Sequence, residues 1–235
     1  MLKRITLLRS LRCFTFTLLW FVATLGHARE QSRFDQSLAK ANAGDAAAQW
    51  EVGTAYDSGR GVRRDGKEAK RWYLTAAEQG YAEAQNSLGS ALQAEGHLDK
   101  AREWYEKASA QNHALATNNL AYLYDLGLGV PQDRKKAFEL YSRSADLGWG
   151  EAMFNIAVMY GAGQIGGAPD LFSTCVWTVR ADMNARGQQK LIQRVNKSMQ
   201  YLEHNLPPEQ LATCRKDGQS WNPPLLKLAI DVPQQ

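Results

Sequence analysis

His97, His113 and His204 are the side chains best suited to metal binding or proton transfer downstream of residue 28. They are far apart in sequence, and none stands at metal-ligand spacing to a second His or Cys. No Gly-x-Ser-x-Gly turn and no phosphate-binding loop is present. His97 falls in a short loop, where solvent exposure is expected. Paired carboxylates are plentiful but follow the pattern of solvated helix faces. The chain is therefore read as a non-enzyme that needs neither metal nor cofactor. An envelope enzyme is the competing reading, which a hydrolase assay on the purified protein would test.

Cys175 and Cys214 could do a different chemistry, and what precedes them decides which. Lys3, Arg4, Arg9 and Arg12 form a basic start. Cys13 to Leu25 is an apolar run of about thirteen residues, short for a bilayer span. Gly26-His27-Ala28 follows as a small-x-small cleavage site. This pattern predicts a secretory signal peptide over residues 1–28; an uncleaved anchor is the alternative. Cys13 belongs to that segment. In an exported protein the remaining pair is expected to form a disulfide, against the alternative of two buried thiols. The expected location is periplasmic or secreted, with no membrane association after cleavage.

The same segment holds four of the 28 Lys+Arg and none of the 24 Asp+Glu. The remainder is close to neutral and shows no basic stripe able to track phosphates, which argues against nucleic-acid binding.

These residues sit in a repeated frame. Gly44 to Gly80 carries Ala48, Val52, Gly53, Tyr56, Gly59-Arg60-Gly61-Val62, Asp65, Ala69, Trp72-Tyr73 and Ala76-Ala77. Asn112 to Gly148 answers with Ala116, Leu120, Ala121, Tyr124, Gly127-Leu128-Gly129-Val130, Asp133, Ala137, Leu140-Tyr141 and Ser144-Ala145. Between them lies a copy with a shorter loop: Ala84, Leu88, Gly89, Leu92, then Ala101, Trp104-Tyr105 and Ala108. A fourth copy holds Ala152, Ile156, Ala157, Tyr160 and Gly163, then Val176-Trp177 and Ala181, with its register kept at thirty-six residues. Self-similarity of this kind marks a stacked array, because no single unit can bury its own apolar face.

Ala48, Val52 and Tyr56 recur every fourth residue, which lines up one helical face; the other copies do the same. Gly53, Gly89, Ala121 and Ala157 are small enough for a second helix to come close. Gly59 and Gly127 end the first helices, and Asp65 and Asp133 can cap the second. Trp72, Trp104 and Trp177 are expected at equivalent core sites. The expected architecture is all-α: a right-handed α-α superhelix, or solenoid, of helix-turn-helix repeats. Its expected parts are a leading half-repeat at 34–43 and repeats at about 44–80, 81–112, 113–148 and 149–186. Capping helices over 187–222 and an extended tail over 223–235 follow. One capping helix spans Gln188 to Asn205; the other starts at Pro207-Pro208 and carries Cys214, which could pin it to the fourth repeat through Cys175.

The quoted positions resemble the Sel-one-like repeat, a relative of the tetratricopeptide repeat, with the pattern A-x-x-x-L-G-x-x-Y-x-x-G-x-G-V-x-x-D-x-x-K-A-x-x-W-Y-x-x-A-A-x-x-G. The first copy departs at Val52 and Glu68, and the third at Ala121. The second departs in its loop, and the fourth in its loop and second helix. The resemblance covers about Gln36 to Arg186. It implies a scaffold or regulator that binds a protein or peptide in the periplasm. Binding of cell-wall glycan (peptidoglycan), or service as an accessory to a cell-envelope enzyme, is the alternative. With tetratricopeptide geometry the first helices would line a concave face. That face would show Trp50, Thr54, Asn86, Ser90, Asn118, Tyr122, Phe154 and Val158. Rings supply apolar area and amides can bond a peptide backbone. The alternative for these eight is contact with neighbouring helices or solvent alone.

Overall fold

The structure, a computed structural model, describes residue 26 and residues 29–221. The expected signal peptide, residue 26 aside, and the expected tail over 223–235 lie outside the described residues. All regular structure within them is helical. Helix α1 covers residues 29–42 of the described chain. It is followed by α2 (Ala46–Ser58), α3 (Gly66–Glu78), α4 (Ala82–Ala94), α5 (Leu98–Ala110), α6 (Ala114–Leu126), α7 (Arg134–Asp146), α8 (Gly150–Gly161), α9 (Leu171–Met183), α10 (Gln189–Asn205) and α11 (Pro208–Ser220). The chain forms consecutive helical hairpins, the all-α repeat class expected from its periodicity. It divides into two compact units, one ending at Leu88 and one starting at Gly89, so α4 contributes to both.

Each hairpin is punctuated by the residues that mark it in the sequence. Helices α2 and α6 end at Gly59 (φ 74°) and Gly127 (φ 68°), in the left-handed region where a side chain is strained. Asp65 starts α3 by accepting from the N–H groups of Lys67 and Glu68; Asp133 starts α7 by accepting from Lys136. Asp45 does the same for α2 and Asp170 for α9. In α6 the acceptor is Nδ1 of His113, bonded by the Ala116 N–H at 3.1 Å. Such a cap stabilises a helix by about 1 kcal/mol. The capping aspartates also close the loops, since the Asp65 N–H donates to the Tyr56 carbonyl and the Asp133 N–H to the Tyr124 carbonyl, both at 2.9 Å.

The fourth hairpin repeats this bond from Asp170 to Tyr160, but across one more residue. Its first helix keeps the period of thirty-six, whereas α9 is displaced by one position, a correction to the uniform register expected from sequence. The extra residue lies in the Gly/Ala/Pro-rich loop, which no heptad-like pattern constrains.

In the first unit Phe34, Ala41, Ala48, Val52 and Trp72 form the core, with Leu38, Ala55, Tyr56 and Val62 packed on it. Phe34 meets Tyr56 edge-on at 5.5 Å. In the second unit Phe138 of α7 meets Tyr160 of α8 in the same way, at 6.2 Å and the same sequence offset. Helix α1 thus takes the place of a hairpin's second helix, as its pattern suggests. The second unit ends in a core of Cys175, Val176, Val179, Leu202 and Cys214, where α10 and α11 cover α9. Cys175 and Cys214 are joined as a disulfide with Cα atoms 5.8 Å apart. Gly218 lets α11 press on α9, since a Cβ there would stand 2.6 Å from Val179 Cβ.

Candidate functional site

The second helix of each hairpin sends one side chain beneath the first. Eight residues after the caps at Asp65, His97, Asp133 and Asp170 stand Tyr73, Tyr105, Tyr141 and Thr178. Tyr73 and Tyr105 pass under the helical glycines Gly53 and Gly89, where a Cβ would approach the ring to 2.6 and 2.7 Å. The tyrosine hydroxyl thereby reaches the first-helix face. That of Tyr105 donates to Gln93 Oε1 at 2.8 Å and lies 3.2 Å from Ser90 Oγ. One hairpin earlier, Thr54 and Asp57 hold the positions of Ser90 and Gln93. Tyr73 has no hydrogen-bond partner among the described residues; burial and the nearby Asp57 push its pKa up to about 12. Burial, with Asp125 and Tyr122 nearby, also raises the pKa of Tyr141.

In the first unit this geometry opens onto a cleft of about 880 Å³ between α1 and α2. Arg33, Phe34, Ser37 and Lys40 line one wall; Trp50, Glu51, Thr54 and Asp57 line the other, and Tyr73 completes it. Two of the expected binding residues, Trp50 and Thr54, are therefore on one cleft. Trp50 is half-buried: its Nε1 donates to Ser87 Oγ at 3.0 Å and its ring leans on Tyr81. Thr54 Oγ1 donates to the Glu51 carbonyl at 2.7 Å. Asn86, on the next first helix, is buried.

In the second unit Ser90 is exposed on α4 and Asn118 is buried on α6. The Asn155 amide donates to Asn118 Oδ1 at 3.1 Å, which ties α8 to α6. This bond uses the same two repeat positions as Trp50 and Ser87 in the first unit. One turn further along the two helices stand Tyr122, 42% exposed, and Val158, 48% exposed. Leu126, 48% exposed, lies one turn beyond Tyr122. Phe154 differs: it is 7% exposed, with the Arg194 guanidinium of α10 4.4 Å above its ring. Arg194 also pairs with Glu151. A capping helix thus covers the start of the α8 face and leaves Val158 open. Sequence reasoning missed Leu126, Asn155 and Arg194. The spacing of four from Tyr122 could have found Leu126, but nothing local signals that α10 returns over α8.

Trp72, Trp104 and Trp177 do hold equivalent places, seven residues after their caps, but only Trp72 is buried. Trp104 and Trp177 are half-buried, a correction to the core assignment. Each ring of the three carries a cation: Arg71 at 5.0 Å, Lys107 at 3.9 Å and Arg180 at 4.5 Å. Arg180 also lies 5.1 Å from Trp221, and the two indoles hold its guanidinium at the end of α11. Stacking of this kind contributes about 0.5–2 kcal/mol.

His97 is exposed at the head of α5 and makes no capping bond, as its loop position suggests. His113 caps α6, and His204 Nδ1 lies 2.7 Å from the Gln200 carbonyl on α10. No group of three or more His, Cys, Asp or Glu able to hold a metal occurs among the described residues. No helix among them is long and apolar enough to cross a membrane.

Consecutive hairpins of twelve- or thirteen-residue helices, three of them closed by an aspartate-to-tyrosine backbone bond and three packed through a buried tyrosine, define a helical-repeat protein. The Sel1 repeat matches residues 46–81, 82–113, 114–149 and 150–172, more than half of the chain. The chain belongs to the Sel1 repeat family. Proteins of this family are typically protein–protein interaction scaffolds and generally non-catalytic. Among solved structures it is similar to a protective antigen present in uropathogenic Escherichia coli and displaying an SLR fold. Identity is 25% and the TM-score 0.72 over 86% of this chain, which spans 44% of that chain. It is also similar to a Sel1 repeat protein from Oxalobacter formigenes, with 24% identity, a TM-score of 0.64, and 81% and 79% of the two chains covered. No curated protein matches significantly.

Proposed function

We propose that this chain is an exported scaffold or regulator that holds a protein partner on the faces of its first helices, the side expected to be concave. The observation that carries the reading is the open apolar set Tyr122, Leu126 and Val158 on two helices joined by the Asn118–Asn155 bond. Apolar side chains left open on two neighbouring first helices supply the area that a partner can bury, with the Asn118–Asn155 bond beside them to hold the helices in register. Export rests on the sequence of residues 1–28, and the Cys175–Cys214 bond supports it, since disulfides persist in oxidising compartments. Affinity capture of the mature protein from periplasm, read by mass spectrometry, tests it. A protein retained by the wild type and lost on Tyr122→Ala with Val158→Ala is the expected result. Equal retention by both would remove the face from the account.

The second reading is cell-wall glycan, favoured by Trp50 standing among hydroxyls and carboxylates in the α1–α2 cleft. Sedimentation with purified peptidoglycan separates the two.

A further inference from the structure

We propose that the cleft between α1 and α2 takes one extended peptide segment of a protein partner, bonded through its backbone amides by the Tyr73 hydroxyl and the Asp57 carboxylate. This deepens the scaffold reading above and rests on it. Tyr73 is 5% exposed and lines the cleft; its hydroxyl has no hydrogen-bond partner among the described residues and is not one of their fully buried unpartnered atoms, so the open end of the side chain is the hydroxyl. Its counterpart Tyr105 shows what that hydroxyl does elsewhere in the array: it is satisfied by Gln93 and Ser90. In the first unit the corresponding residues, Asp57 and Thr54, both lie on the cleft wall but leave the phenol unbonded. The second hairpin closes this position internally; the first presents it to a ligand.

The other walls specify what kind of ligand. Ser37 gives its proton to Glu51 Oε2, Thr54 to the Glu51 carbonyl and Ser58 to the Thr54 carbonyl. Their oxygens, with Asp57 and Glu51, therefore face the cleft as acceptors. Donors are the Tyr73 hydroxyl and the cations Arg33, Lys40 and Arg60, balanced by Glu30, Glu51 and Asp57. Equal numbers of opposite charges do not attract a polyanion. Donors and acceptors side by side without net charge match a peptide backbone, in which every residue offers one N–H and one C=O. About 880 Å³ is within the range of cavities that hold small ligands, and suits a few residues of an extended chain.

The test uses the mature, disulfide-intact chain and a phage-displayed library of random heptapeptides. A synthetic peptide of the selected consensus is titrated by calorimetry into wild type, Tyr73→Phe, Asp57→Asn and Tyr105→Phe, with circular dichroism to confirm folding. The expected result is one consensus, weakened about tenfold by Tyr73→Phe and by Asp57→Asn, as loss of a bond to a desolvated group implies. Tyr105→Phe leaves it unchanged, because that hydroxyl is already bonded within the protein. The proposal is overturned by no consensus, by equal affinity of Tyr73→Phe, or by Tyr73-dependent binding of a chito-oligosaccharide instead. Should Tyr73→Phe still capture the periplasmic partner while the Tyr122 and Val158 variant does not, the cleft fails and the scaffold survives.

Discussion

Tyr73 shows how one side chain joins the core of a hairpin to its outer face. The ring fits only because Gly53 has no side chain, with its Cβ position 2.6 Å from the tyrosine ring. Gly53→Ala gains helix propensity of about 1 kcal/mol. Overpacking costs about 1–3 kcal/mol, so net destabilisation is expected in chemical denaturation. A more stable variant would contradict the packing described. The buried phenols also set a pH limit. An unfolded tyrosine ionises near pH 10, whereas burial and Asp57 hold Tyr73 protonated to about 12. Above pH 10 the unfolded state therefore binds fewer protons than the folded one, and stability falls as pH rises from about 10 to 12. Denaturation midpoints measured across that range should decline less in Tyr73→Phe than in wild type. These tyrosines were legible in the sequence as a repeated position of the second helix. That their hydroxyls emerge on the first-helix face was not, because it depends on helix-to-helix distance rather than on periodicity.

At the scale of elements, α11 is held to α9 by Gly218, by the Trp177–Arg180–Trp221 stack and by the Cys175–Cys214 bond. The disulfide encloses 39 residues of sequence separation, for which the chain-entropy model gives about 4 kcal/mol. Cys214→Ser should lower the denaturation midpoint and raise amide exchange selectively in α11. Uniform exchange across both units would mean that the bond does not act locally. The capping helices could be placed from Pro208 and from the apolar spacing of Leu191, Val195 and Leu202. Hairpin ends were equally readable, since Gly59, Gly127, Asp65 and Asp133 are each demanded by a specific backbone state. The extra residue before Asp170 was hidden, because a loop rich in glycine accepts an insertion without changing the helices around it. Arg194 over Phe154 was hidden too: a cation on the wet side of α10 gives no sign of which ring it will cover.

Across the molecule, the first helices carry both the packing residues and the residues left open, and the family pattern specifies only the first kind. Val52, Leu120 and Ile156 are core by type and spacing. Tyr122, Leu126 and Val158 fall at positions that pattern leaves unspecified, so the pattern says nothing of a partner for them. Asn118 and Phe154, expected on the binding face, are buried, and alanine there would test packing together with recognition. Tyr122 and Val158 are the cleaner probes. The most direct measurement is the dissociation constant of the captured partner for wild type and for the triple variant Tyr122→Ala, Leu126→Ala, Val158→Ala, by surface-immobilised binding at matched helical content. Burial of an exposed aliphatic side chain is worth about 1.5–3 kcal/mol. The account predicts weakening of about a hundredfold, or about 2.7 kcal/mol, less than full burial of three side chains would give because each is already about half-buried. Identical dissociation constants for the two proteins would contradict it.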